Sequence, residues 1–332
     1  MYKGEFVHLH NHSTFSLLDG LATPEEYVAV AAENEQHAVA LTDHGGLSGI
    51  FKFYKASKDA GIKPIIGCEF YYAPNGRHHK EAVRLGSEDQ RKSDVSGSGA
   101  YTHLTVLATD DVGLRNLYRL QSAAYAEGFY FKPRIDLELL RLHNAGLIVL
   151  SGCPGSLVST YVRLGQFENA RAHLEELKDI FDDRLYVEVM AHGIETEELS
   201  ERKLNSALIE LARVSGVPLV ATNDAHYARP SDHRVHAALL CVQTRSTLEA
   251  PKFSFAGSGY HLASSEEMAR LLDAAGLPES SAAATLEIAE RIESYDAVFK
   301  HQLRMPNFKV PEDWDAEAAM IEVMDYERDV NG

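Results

Sequence analysis

The chain has 332 residues, 45% of them hydrophobic and 24% charged, which is ordinary for a soluble globular protein and enough for one large α/β domain with an appendage. A formal net charge of −17 argues against a tight, sequence-tolerant DNA-binding module, because such binding needs clustered Lys and Arg. It leaves open a nucleic-acid substrate gripped at a metal site, where bound divalent ions reverse the local sign. No apolar run approaches the ~20 residues that span a bilayer, so no membrane contact is expected. The opening MYKGEFVHLH lacks an h-region and a cleavage site, and the three cysteines (Cys68, Cys153 and Cys241) form no paired framework. Both features predict a cytoplasmic protein.

In chain order, EFVHLH reads as a strand, followed by a polar turn and the helix PEEYVAVAAENEQ, with Thr23 as N-cap and Pro24 in the first turn. AVALT is a second strand, and LSGIFKFYKASKDAG a helix closed by Gly61. KPIIGCEFYYA, THLTVLA, GLIVLS, LYVEVM and VPLVAT supply five more apolar, β-branched runs, most of them separated by helical segments such as FENARAHLEELKDIF and SERKLNSALIELARV. Seven βα beats predict a parallel sheet with right-handed crossovers, closed into a barrel, with an open doubly wound sheet as the alternative. Residues 74–100 break the beat. They are polar and Gly/Ser-rich, and they read as a long exposed insertion in which Arg77, Lys80, Arg84, Arg91 and Lys92 either touch a phosphate backbone or are simply solvated. After about residue 270 the rhythm changes. The division expected is therefore a barrel over 1–270 and an appendage over 271–332, with an amphipathic helix at SSAAATLEIAERI, an extended LRMPNFKVPEDWD and a last short helix.

Nine residues of metal-ligating type lie mostly where predicted strands end: His10, His12, Asp19, His44, Glu69, His103, Cys153, Asp224 and His226. Strand C-termini of a parallel barrel meet at one rim, so residues two hundred positions apart can share a pocket. Imidazole, carboxylate and a single thiolate suit borderline divalent ions such as zinc or manganese. Singly, each has an ordinary explanation. HNH puts His10 and His12 on one face of a strand, where a solvated or stacking pair is as good a reading as a ligand pair. His8 shares their parity but lies deeper and reads as packed. Asp19 suits an N-cap or Asx-turn. Glu69 is the exception, because a carboxylate inside an apolar run is costly unless paired or metal-bound. Cys68 and Cys241 read as buried packing residues. Glu188 and His192 either orient a ligand imidazole or make surface contacts. The shared position at strand ends decides for the cluster. Nine ligands suffice for two or three ions with a bridging carboxylate, the arrangement that activates water and clamps a phosphoester.

HNHSTFS, LTDHGGLSG, GIKPIIGCEFYYAP, THLTVLA, SGCP and VATNDAHY resemble the successive motifs of the polymerase and histidinol phosphatase (PHP) superfamily. Among its branches, the similarity is greatest to the N-terminal PHP domain of bacterial replicative DNA polymerase III alpha subunits, actinobacterial ones especially, over residues 5 to about 311. The resemblance implies a distorted (βα)7 TIM-like barrel with a trinuclear metal site. It puts the family's nine ligand positions on the nine residues above, and Asp19, Asp224 and His226 take the catalytic roles. It implies a metal-dependent 3′→5′ exonuclease of proofreading type, using two or three ions of zinc, manganese or iron. The implied partners are single-stranded or mismatched DNA 3′ ends and a replicative polymerase or other replisome proteins. The alternatives are a small-molecule phosphomonoesterase and a structural domain docking replication proteins. Ser13 stands where the family usually has Thr, and MIEVMDYERDVNG departs from the usual continuation. The acidic palm motif for nucleotide addition is not in the sequence, so the expectation is a chain without polymerase activity, either stand-alone or cut from a larger subunit.

Overall fold

In the computed structural model, which describes residues 2–86, 99–197, 199–257, 259–300, 314, 315 and 317–321, the first apolar run lies extended between two neighbours. On one side Ala40 N donates to His8 O and Thr42 N to Asn11 O; on the other His12 N donates to Ala225 O and Ala225 N to His10 O. These bonds join the two ends of a seven-stranded sheet: β1 (Ala38–Leu41), β2 (Lys63–Tyr72), β3 (Thr102–Ala108), β4 (Arg134–Ile135), β5 (Leu147–Leu150), β6 (Leu185–Val189) and β7 (Leu219–Ala221). The order is β1–β2–β3–β5–β6–β7, with the two-residue β4 on the end of β2. The result is the distorted, TIM-like barrel expected.

One strand runs the wrong way for a parallel barrel. β3 pairs antiparallel with both β2 and β5. A parallel neighbour must be reached by a crossover connection, whereas an antiparallel one can be joined without it. The reversal has a consequence for the rim. His103 sits at the start of its strand, yet that start lies level with the ends of the parallel strands, and Tyr71 of β2 is its register partner.

Helices follow their local chemistry. Thr23 and Glu26 form a reciprocal capping box on α1 (Pro24–Glu33), and Gly61 ends α2 (Ile50–Ala60) in the left-handed region at φ 71. Next come α3 (Asp111–Ala126), α4 (Leu137–Leu142), α5 (Leu157–Arg163), α6 (Phe167–Phe181), α7 (Glu201–Ser215) and α8 (His233–Thr244). Leu204, Leu208 and Leu211 of α7 share one face and are buried, as are Leu174 and Leu177 of α6. Two further helices, α9 (Ser265–Ala274) and α10 (Glu279–Arg291), cover the first extended segment. Ser265 Oγ accepts from Phe6 N at 3.0 Å and Thr285 Oγ1 from Val7 N at 3.1 Å. The compact unit accordingly runs from Met1 to Phe299, so the boundary expected near 270 falls inside it. Lys300–Gly332 forms a second unit, in which residues 317–321 are helical. No helix among the described residues is long and apolar enough to cross a membrane.

The described ends of the insertion are anchored rather than free. Arg77, expected to contact phosphate, is buried, and its guanidinium bonds Glu127, Asp136 and Glu138 at 2.8–3.1 Å. The fully buried Arg134 donates to the carbonyls of Arg77, His79, Ala100 and Gly128, tying both ends of the insertion to β4. Lys80 and Arg84 are exposed, while Arg91 and Lys92 lie outside the described residues. Arg77→Ala should therefore act on stability. Removing the guanidinium leaves the buried Asp136 without its cation, at about 1.5–3 kcal/mol. Urea unfolding would show it, and a midpoint equal to that of the parent protein would refute the anchoring role.

Candidate metal centre

All nine sequence-selected residues converge at the barrel mouth, and Glu69 lies in the middle of them. β2 buries this carboxylate almost completely. Its Oε1 lies 3.5 Å from His10 Nε2 and 3.2 Å from His103 Nδ1; its Oε2 lies 3.3 Å from His12 Nε2 and 2.7 Å from His44 Nδ1. One carboxylate thus faces four imidazoles, two on each oxygen.

Three groupings surround it. His10 Nε2 and His12 Nε2 are 3.1 Å apart, and Asp224 Oδ1 lies 3.5 and 3.2 Å from them. His103 Nδ1 lies 3.4 Å from Cys153 Sγ, on the Oε1 side of Glu69. Asp19 Oδ2 lies 3.2 Å from both His44 Nε2 and His226 Nε2. The i, i+2 pair of the first strand thus shares one grouping, as its parity predicts, whereas Asp224 and His226 are divided between two. Asp224 adopts φ 42, a left-handed conformation that Asp tolerates better than most residues.

The donor set fits divalent metal ions. Asp19 Oδ2, Glu69 Oε1, Asp224 Oδ1 and His44 Nδ1 are buried and make no hydrogen bond within the protein, although imidazoles and carboxylates crowd around them. Buried acceptors left without donors are costly, and a cation among them removes the cost. Groups of such atoms lie within 4.8 Å of one another: His10, His12 and Asp224; His12, Asp19, His44 and His226; and His44, Glu69 and His103.

The surrounding hydrogen bonds fix which ring nitrogen is free. Glu188 Oε1 accepts from His10 Nδ1 at 2.7 Å and from Thr222 Oγ1 at 2.6 Å, so the His10 lone pair points from Nε2 into the cluster. Ser16 Oγ donates to Asp43 at 2.9 Å and must then accept from His12 Nδ1, at 3.0 Å, which frees His12 Nε2 in the same way. The carbonyl of Asp224 accepts from His226 Nδ1 at 2.7 Å. Three imidazoles are thereby held with Nε2 turned toward the cluster. Ser13, the departure from Thr, keeps the hydroxyl bond to Asp43 at 2.9–3.0 Å.

Of the residues left open, Glu188 orients a cluster imidazole, whereas His192 is buried and stacks on Tyr260 with ring centroids 3.9 Å apart. His8 is buried away from the cluster and bonds Ala263 O at 2.8 Å; burial pushes its imidazole down to about 4. Cys68 and Cys241 are buried outside the groupings. Sequence reading gave no role to Thr222 or Ser16, because nothing in a lone hydroxyl marks it as a bracket for a distant ring. Glu188→Gln should weaken metal affinity by about 10–100-fold, because the acceptor of His10 Nδ1 loses its charge. Competition against a chromophoric chelator measures this, and an unchanged affinity would mean that Glu188 does not position His10.

The site's electrostatics oppose burial with pairing. Burial lowers the His10 pKa, but Asp224, Glu188 and Glu69 more than reverse that and hold it well above the usual imidazole range. His44 behaves alike: burial lowers its pKa, but Glu69 and Asp19 raise it to about 10. Burial raises the Glu69 carboxyl, while His103, His44 and His10 bring it well below the usual range.

The chain matches the PHP domain family over residues 8–192, more than half its length. It is 45% identical over 312 residues to DNA polymerase III subunit alpha of Saccharopolyspora erythraea, covering 91% of this chain and 26% of that protein. The same-named subunits of Mycobacterium tuberculosis (strain CDC 1551) and Thermus aquaticus are 42% and 40% identical over 315 residues, each match covering 93% of this chain. These cover 26% and 24% of the relatives, so the chain spans about a quarter of the length of the curated proteins it matches. Among solved structures, a two-domain Bacteroides vulgatus protein containing a predicted PHP-like metal-dependent phosphoesterase superposes with a TM-score of 0.42 at 14% identity, over 80% of this chain and 62% of that one, too distant a likeness to add weight. With more than half of its residues matched by one family model, this chain belongs to the PHP domain family.

Proposed function

We propose that the chain is a metal-dependent 3′→5′ exonuclease that hydrolyses DNA phosphodiesters. The observation that carries this reading is the convergence of nine residues of metal-ligating type, with Glu69 at their centre and buried carboxylate oxygens crowded by imidazole nitrogens. A scaffold that only docks other proteins has no use for such atoms. Homology to a segment of DNA polymerase III alpha supports DNA over a small metabolite as the substrate.

His10, His12, Glu69 and Asp224 would hold one ion, Glu69, His103 and Cys153 a second, and Asp19, His44 and His226 a third. Zinc, manganese and iron all suit this mixture of imidazole, carboxylate and thiolate. Ions there supply Lewis-acid stabilisation of phosphoryl oxygens and a water-derived nucleophile at neutral pH. The chain's own residues provide the geometry. Asp19, His44, His103 and Asp224 keep 13–18% of their side chains exposed, against 1% for Glu69, so a phosphodiester would arrive on their side of the cluster. Asp19, Asp224 and His226 would take the catalytic roles, and the buried Glu69 would help hold the ions. Glu188, Ser16 and the Asp224 carbonyl retain the Nδ1 protons of His10, His12 and His226.

Purified protein incubated with single-stranded DNA, 3′-mismatched primer–template and small phosphate monoesters tests the reading. Release of nucleoside monophosphates from both DNA substrates is expected. Hydrolysis of the monoesters alone would assign a phosphomonoesterase, and no hydrolysis of any substrate would assign a docking domain.

A further inference from the structure

Beside the metal centre lies a turn that the cluster does not use. Tyr71 stacks on the His44 imidazole, with centroids 5.7 Å apart and planes within 16°. Tyr101 meets Tyr71 edge-on at 4.7 Å and lies parallel to His103 at 5.9 Å. Lys132 Nζ stands 5.2 Å over the Tyr71 ring, and Pro133 approaches Gly45, next to His44. The turn over residues 128–132 therefore opens onto the rim of the centre.

Two features of this turn lack a packing explanation. Phe131 is 67% exposed, and its backbone holds φ 60, a conformation that disfavours any residue with a Cβ. A strained backbone presenting an apolar ring to water points to function rather than to folding. The turn is also rigidly built. Arg134 beneath it bonds the Gly128 carbonyl at 3.0 Å and lies 5.0 Å from the Tyr130 ring centroid, and Tyr130 in turn braces Phe131 edge-on at 4.6 Å.

We propose that this turn, backed by the buried Tyr71 and by Tyr101, is a base-stacking subsite for single-stranded DNA entering the metal centre. Phe131 takes a base face and Lys132 the adjoining phosphate. Aromatic rings interleaved with cations bind single strands with little sequence preference, because every base has a π-face. The subsite rests on the exonuclease reading and supplies what that reading lacked once Arg77 proved to be a buried anchor.

The test is fluorescence anisotropy of a labelled oligothymidylate with phosphorothioate linkages at its 3′ end, added to metal-loaded protein. Phe131→Ala should weaken binding about tenfold, and Phe131→Tyr should restore it. Phe131→Gly should weaken binding equally while the melting temperature does not fall, because glycine adopts the left-handed conformation without strain. Hydrolysis of bis(p-nitrophenyl) phosphate, which has no flanking nucleotide to place on the turn, should keep its rate in all three variants. Ala and Gly variants that bind the oligonucleotide as the parent does would overturn the subsite and leave the exonuclease reading standing. A parent protein that hydrolyses the small diester yet neither binds nor degrades oligothymidylate would overturn both.

Discussion

Asp224→Asn is expected to lower phosphodiester hydrolysis by about 10²–10⁴-fold while leaving the barrel folded, the loss of several kcal/mol of transition-state stabilisation. Asp224 Oδ1 lies within 3.5 Å of both His10 and His12 and makes no hydrogen bond of its own, so the change removes a charge and no internal bond. Asparagine has the same shape and tolerates the φ of 42 that this position demands. Asp19→Asn should behave alike, since Asp19 Oδ2 occupies the corresponding place between His44 and His226. Rates measured with metal-free reagents and one added metal, beside circular-dichroism melts, would show the effect. Full activity in both variants would remove the proposed centre.

Metal removal should lower the melting temperature, and by more at high pH than at low. Each ion held at a hundredfold excess over its Kd stabilises the native state by ~2.7 kcal/mol, which corresponds to roughly 5 °C or more in a domain of this size. Without metal, the cluster's carboxylates pair with protonated imidazoles. His10, His44 and His226 have raised pKa values, so their contribution is complete below 6.5 and is lost as pH climbs, for His44 toward about 10. Asp19, Glu69 and Asp224 have lowered values, so theirs is present above the ordinary carboxylate values of 3.8 to 4.5 and disappears in acid. Metal binding has to displace the imidazole protons and strengthens with pH. The gap between loaded and stripped melts should therefore be small near pH 6 and widen toward pH 9. Parallel curves at all pH values, with metal removal confirmed by elemental analysis, would contradict the coupling.

Much of the centre was legible in the sequence because its grammar is local. His10 and His12 share a strand face by parity, and Glu69 is conspicuous as a carboxylate in an apolar run. The barrel was legible from the rhythm of apolar runs and helices. Strand direction was not, because period-two patterning is the same read either way. Arg77 misled for a related reason. In sequence it sits among exposed polar residues, while the carboxylates that bury it lie 50 to 61 positions away. Glu188 was ambiguous until the fold set it against His10, 178 positions earlier. Phe131 carried no signal at all, since an exposed aromatic shows its strain only in the backbone.

The central claim is most directly tested by the polarity of DNA degradation. Demetallated protein, resupplied with one divalent metal at a time, is mixed with a 5′-labelled single-stranded oligonucleotide and sampled over time on a denaturing gel. The account predicts a ladder shortening one nucleotide at a time from the 3′ end, with nucleoside monophosphate released, and no ladder with chelator or with Asp224→Asn. An oligonucleotide that stays intact with every metal, in a preparation whose metal content and fold are verified, would contradict it.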